Sequence, residues 1–225
     1  MCARLYSCGV TAPAQTDRWT TIDTLDELVG LLGEPGERAA NKGRRALLPV
    51  DVDWLAASPF CVMATSDADG NCDASPKGDP PGQLVHVLDD RTIALAERPG
   101  NKRVDGYRNI VANPHVGLNF VIPGRADTLR INGRARLVSG APFFDELVVR
   151  GRRPILAVVV EIETIFFHCG KAFMRAGLWE PETWDPEGVV PRRAVIAQEL
   201  EPQPDKTLEE LDDYYRPENY AKGLY

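Results

Sequence analysis

The run PILAVVVEIETIFFH, residues 154–168, limits the folds open to this chain more than any other stretch. It is crowded with β-branched and aromatic residues, which are stiff in a helix but pack well on a pleated surface. Its length suits a strand crossing a barrel obliquely. Upstream, from Phe60, come FCVMATS, the turn DADGN, CDASPKG, QLVHVLDD and RTIALAE, punctuated by Gly, Pro and Asp as in an antiparallel meander. HVGLNFVI and DTLRINGRARLV follow, with a turn at Pro123-Gly124. Six or seven strands with only short helices between them, without a parallel βαβ rhythm or an internal repeat, predict a mainly β fold with flanking helices. The expected architecture is a six- or seven-stranded antiparallel barrel, closed or partly closed so that few edges stay exposed.

The flanks read as helices. Thr24 and Glu27 have capping-box spacing ahead of Leu25, Leu28, Leu31 and Leu32, which share one helical face. A second helix is expected from Asp51, as its cap, to Ala57, with Pro59 forbidding continuation. A third is expected from Lys102 to Ala112, turning Val104, Tyr107 and Val111 toward a sheet, and a fourth over APFFDELVVRG. The acidic, proline-interrupted carboxy-terminal stretch predicts an arm with one helix near Leu208 to Tyr214, of a kind that often lies on a partner subunit. The expected division is a helical extension packed on the barrel (1–58), the barrel (59–180) and the arm (181–225).

With 33 acidic against 26 basic residues the net charge is -7, which argues against general affinity for nucleic acid or anionic membrane. No run approaches a membrane span and the amino terminus lacks an apolar leader core, so a cytoplasmic location is expected. The five cysteines form no C-x-x-C pair, and His86, His115 and His168 lack metal-site spacing, so reduced thiols and no metal are expected. A hairpin centred near Asp69 sets Cys72 opposite Ser66 rather than Cys61, which opposes a disulfide between the two cysteines.

Against this acidic background, ERPGNKRVDGYRN gathers Arg98, Lys102, Arg103 and Arg108 around a Pro-Gly turn. With Asn101 as helix cap, Lys102 and Arg103 would occupy a first turn whose dipole they oppose at a cost of a few tenths of a kcal/mol each. A phosphate held between them and the free amides would offset that cost; the alternative is a solvated turn paired with Glu97 and Asp105. Ser75 and Lys77 lie on a strand close enough in a meander to face the same anion. The pattern is neither a P-loop nor a dinucleotide fingerprint. Lys171 and Arg175, four apart, project from one helical face toward an anionic substrate group, or form a surface pair beside Trp179.

SPKGDPPG, ERPGNKRVDGYRNIVANPHVGLNFVIPG, TLRINGRARL and FFHCGKAFMRAGLW, taken together, resemble the pyridoxamine 5'-phosphate oxidase-like class of FMN-binding split-barrel proteins over Phe60 to Trp179. The resemblance implies a homodimer that holds FMN by its phosphate at the helix start, with the ring in a groove between subunits. By matching position, Lys102 and Arg103 would bind the phosphate beside Asn101, and Ala96 and Glu97 would border the ribityl chain and ring. Ser75 and Lys77 match the adjoining strand, and Thr128 matches a position whose side chain reaches the flavin. The implied activity is FMN-dependent oxidoreduction of a small molecule, with Lys171 and Arg175 toward the substrate. The same groove would also suit a non-catalytic flavin- or haem-binding sensor, or a deazaflavin-dependent reductase. The tryptophan and arginine motif with which true oxidases bind pyridoxal has no counterpart in YYRPENYAKGLY, so fold and cofactor transfer better than substrate.

Overall fold

A computed structural model describes residues 19–225; the poorly patterned start, with Cys2 and Cys8, lies outside the described residues. The chain forms two compact units, one ending at Lys42 and the other spanning Gly43–Tyr225. The first carries α1 (Leu25–Leu32) and α2 (Glu37–Ala40). The predicted capping box is present: Thr24 Oγ1 accepts from the Glu27 amide at 3.2 Å, and the Glu27 carboxylate accepts from the Thr24 amide at 3.1 Å. The four leucines of its apolar face are exposed.

The second unit opens with α3 (Pro49–Ala57). It starts ahead of the predicted Asp51 cap, because proline suits the first helical position and needs no partner for a missing N–H. Asp51 instead sits inside the first turn, fully buried, accepting from the Leu48 amide (2.7 Å) and from the Arg44 guanidinium (2.5 and 2.9 Å). That pairing holds Arg44 more firmly protonated than an ordinary arginine.

Seven strands follow: β1 (Phe60–Ser66), β2 (Cys72–Gly78), β3 (His86–Asp89), β4 (Thr92–Ala96), β5 (His115–Val121), β6 (Thr128–Val138) and β7 (Ala157–His168), with α4 (Asp105–Ala112) between β4 and β5. They make one antiparallel sheet in the order β2-β1-β5-β6-β7-β4-β3. Among the described residues β2 pairs only with β1 and β3 only with β4, so the sheet has two edges and is a split rather than a closed barrel. The β1–β2 register sets Ser66 opposite Cys72 and Cys61 opposite Lys77, as the turn length demands. Alternate residues, among them Cys61 and Met63 on β1, Leu118 and Phe120 on β5, and Val160 and Ile162 on β7, meet in one core.

The long β-branched run becomes β7, which is buried on both faces at its start: Ala157 packs with Phe144 and Leu147 outside the main core. Those two residues come from Pro142–Leu147, a 3₁₀ helix and not the α-helix expected there. Burying residues three apart on one side suits three residues per turn. A bulge shifts the β6–β7 register at Asn132/Gly133, where a β-carbon on Gly133 would overlap the Glu161 carbonyl oxygen.

Beyond the sheet lie α5 (Lys171–Arg175), α6 (Pro186–Val189), α7 (Arg193–Leu200), α8 (Leu208–Tyr215) and α9 (Pro217–Tyr220). The arm thus holds more than the single helix expected, since Ala194 and Ala197 of α7 and Leu211 of α8 are buried where the two helices pack. Its last residue returns to its own barrel: the Tyr225 hydroxyl donates to Asp79 Oδ1 at 2.8 Å, and Arg150 lies 5.0 Å over the Tyr225 ring. Among the described residues no helix is long and apolar enough to cross a membrane.

Candidate functional site

Period-two alternation turns Asp73, Ser75 and Lys77 of β2 to one face and leaves Cys72, Ala74 and Pro76 exposed on the other. Pro76 is tolerated because β2 is an edge strand. The inward face of β2, the end of β4 and the segment leading into α4 enclose a cavity of about 470 Å³. Seven of the eight residues expected around a cofactor line it: Ser75, Lys77, Ala96, Glu97, Asn101, Lys102 and Arg103. The helix that closes its floor is fastened to β1, with Asn109 donating to Thr65 Oγ1 (3.1 Å) and Asn113 to Ser66 Oγ (3.0 Å). Gly106 suits the close packing of α4 on the β1–β2 hairpin, since a β-carbon there would stand 3.1 Å from Asp73 Oδ2 on β2 and 3.5 Å from Thr65 Oγ1 on β1.

The helix begins later than its sequence suggests. Val104 is the cap and Asp105 the first helical residue, so Lys102 and Arg103 precede the first turn. Two cations inside that turn would oppose the dipole, whereas Asp105 complements it. Asn101 is therefore not the helix cap; its Oδ1 accepts from the Arg103 amide at 3.0 Å in a turn of its own, and Lys102 takes a left-handed φ of 62°.

Four carboxylates (Asp73, Asp79, Glu97, Asp105) and four cations (Lys77, Arg98, Lys102, Arg103) line the cavity. Arg103 Nε is 2.5 Å from Asp105, and Arg98 Nε is 2.7 Å from Asp79. Arg98 also donates to the Leu147 carbonyl at 3.0 Å, and its second terminal nitrogen is buried without a partner. Among the described residues no ion pair engages Lys77 or Lys102. Lys77 donates to the Tyr107 hydroxyl at 3.2 Å, and that hydroxyl donates to the Glu97 carboxylate. Burial, then the Glu97 carboxylate, holds the Tyr107 phenol far above its ordinary range, so it stays a proton donor. Two ammonium groups without ion-pair partners, the Ser75 hydroxyl and the exchangeable Arg103 fit a phosphate group, while Asp73 and Glu97 keep the wall close to neutral.

Sequence reasoning gave Tyr107 only a packing role. The legible signal was a tyrosine where phenylalanine would fill the same space, since a buried hydroxyl requires a partner. Asp73 was legible from the same alternation that joins Ser75 to Lys77. Thr128 is buried at the start of β6 opposite His168 and does not line this cavity. Lys171 and Arg175 are exposed on the five-residue α5, also away from it. A second hollow of about 410 Å³, between Trp54, Ile122, Arg125 and Phe167, contains none of the expected site residues. Cys61 lies in the core with its thiol pushed up to about 12 by burial, which leaves it inert as a nucleophile.

Among curated proteins none matches the chain. Solved structures similar to it include HupZ of Group A Streptococcus (22% identity, 54% of this chain and 94% of that one, TM-score 0.43). A candidate pyridoxamine 5'-phosphate oxidase of Lactobacillus delbrueckii has 23% identity over 56% of this chain and 98% of that one, TM-score 0.44. An FMN-binding protein of Syntrophomonas wolfei has 13% identity over 52% of this chain and 88% of that one, TM-score 0.40. The sequence profile of pyridoxamine 5'-phosphate oxidase matches residues 49–169, from the start of α3 through the end of β7. That span is more than half of the chain and holds all seven strands and the whole cavity wall, so the chain belongs to the pyridoxamine 5'-phosphate oxidase family.

Proposed function

We propose that this protein is an FMN-dependent oxidoreductase acting on a small molecule, working as a homodimer, with the cofactor phosphate in the cavity between β2 and α4. What supports the reading is the convergence on one cavity of Ser75, Lys77, Lys102 and Arg103, brought from two separate stretches of an acidic chain. When bound, the flavin supplies reversible acceptance of a hydride or of single electrons at its ring. The chain's own part is positional and electrostatic. Lys77 and Lys102 offer ammonium donors, Ser75 offers a hydroxyl, and Arg103 exchanges its exposed partner Asp105 for the phosphate. Asn101 holds the turn that presents Lys102 and Arg103, and Ala96 and Glu97 border the cavity where the ribityl chain would leave it. Thr128, Lys171 and Arg175 are assigned to the ring and substrate region outside this cavity.

Titration of the flavin-free protein with FMN, followed by flavin fluorescence and absorption, tests the proposal. Saturable binding is expected, and Lys77→Ala is expected to weaken it by about 1.5–3 kcal/mol, the scale of a hydrogen bond to a charged group. Arg103→Ala has a smaller effect, since its guanidinium must first leave Asp105. An unchanged dissociation constant in Lys77→Ala, or a haem spectrum in the purified protein with no flavin uptake, overturns the assignment.

A further inference from the structure

We infer that Tyr107 is a positioning residue for Lys77: its hydroxyl stands between the Lys77 ammonium and the Glu97 carboxylate and keeps the ammonium available to an anion in the cavity. The inference deepens the proposed function and rests on the cavity holding a phosphate. Three observations carry it. The Tyr107 oxygen accepts from Lys77 Nζ at 3.2 Å and donates to Glu97, so one atom joins both charges. All three residues line the same cavity, in which the other two carboxylate–cation pairs, Asp79–Arg98 and Asp105–Arg103, are directly bonded. Among the described residues no direct ion pair joins Lys77 to Glu97, and the Tyr107 hydroxyl bridges them instead.

The chemistry follows from what that oxygen replaces. An ammonium has three donors, and the tyrosine takes one, leaving two for a ligand. The phenol is held protonated by burial and by Glu97, so it satisfies the carboxylate without withdrawing Lys77 from the cavity. The Tyr107 ring is part of the core, and Lys77 Nζ also lies 4.8 Å from its centroid, so the aromatic ring is fixed independently of the hydroxyl. Phenylalanine would keep that packing and remove only the spacer. Lys77 would then close on Glu97 as an ion pair, and the anion site would lose its half-buried cation.

Two measurements on Tyr107→Phe, Glu97→Gln and the double variant test this. In flavin-free protein, the acetylation rate of the Lys77 amine, read by peptide mass spectrometry, is expected to fall about threefold in Tyr107→Phe, as direct pairing with Glu97 draws the amine away from the reagent. It is expected to return in Tyr107→Phe/Glu97→Gln, where the Glu97 carboxylate no longer competes. FMN affinity is expected to fall about tenfold in Tyr107→Phe and to recover to within about threefold in the double variant. Unchanged Lys77 labelling in Tyr107→Phe overturns the inference, and so does a loss of FMN affinity that Glu97→Gln fails to rescue, since a purely structural defect would persist. If the wild-type protein binds no FMN, the cofactor assignment falls by itself and the labelling series alone decides the role of Tyr107.

Discussion

Asp51 is fully buried and its carboxylate accepts three hydrogen bonds, two from Arg44 and one from the Leu48 amide. Removing it strands a guanidinium and leaves a helix-start N–H without its acceptor. Asp51→Ala is therefore expected to cost about 3 kcal/mol, the lower end of the range for breaking a buried pair, because Arg44 keeps some access to water. Asp51→Asn keeps an acceptor for the Leu48 amide and should lose less. Urea unfolding of the three proteins checks the order, and equal stability of all three would remove Asp51 from the account. The chemical character of Cys61 is set in the same way by surroundings, for the thiol that sits across from Lys77 on β1 is silenced by burial.

At the scale of elements, the caps show how local sequence becomes local stability. Thr207 closes a capping box on α8, its hydroxyl accepting from the Glu210 amide at 3.2 Å while the Glu210 carboxylate accepts from the Thr207 amide at 2.8 Å. The Thr207 amide, then its hydroxyl, lower the Glu210 carboxyl from its ordinary value. A depressed carboxyl contributes stability that is present above its unfolded pKa and lost as pH falls through its folded one. Thr207→Ala is expected to speed amide exchange in α8 about fivefold at neutral pH, the scale of a lost cap, and the difference should shrink in acid. Identical protection in both proteins at neutral pH would show that the packing of α7 on α8 alone holds the arm. In α4 the middle and the end are fastened from outside the helix, Asn109 and Asn113 donating to Thr65 and Ser66 of β1.

For the whole molecule, the split sheet leaves β2 and β3 as edges, and an edge is a surface that natural proteins cover or pair. The second unit also exposes Leu48, Val50, Val111 and Ile155. A second copy related by a two-fold axis would cover such surface symmetrically, which accords with the proposed homodimer. Sedimentation velocity at micromolar concentration is expected to give the dimer mass; a monomer with full flavin occupancy would refute the dimer.

By itself the sequence determined the elements whose information is local. Period-two alternation put Asp73, Ser75 and Lys77 on one face, the length of the DADGN turn set Cys72 against Ser66, and the β-branched run made β7. The meander expected for the first four strands is not what joins the cavity: β2 and β3 are opposite edges of the sheet, and seven of the expected residues meet because the sheet curls to bring β2 near the end of β4. Tertiary structure alone decided which charges those residues meet. Asn101 lost its role as helix cap when α4 began at Asp105, and Tyr107 acquired Lys77 and Glu97, 30 and 10 residues away. Asp79 met Arg98 and Tyr225 at separations of 19 and 146 residues. The physical reason is that alternation and turn length act through neighbouring backbone, whereas the partner of a buried polar atom is chosen by whatever distant side chain the packed core leaves within hydrogen-bond reach.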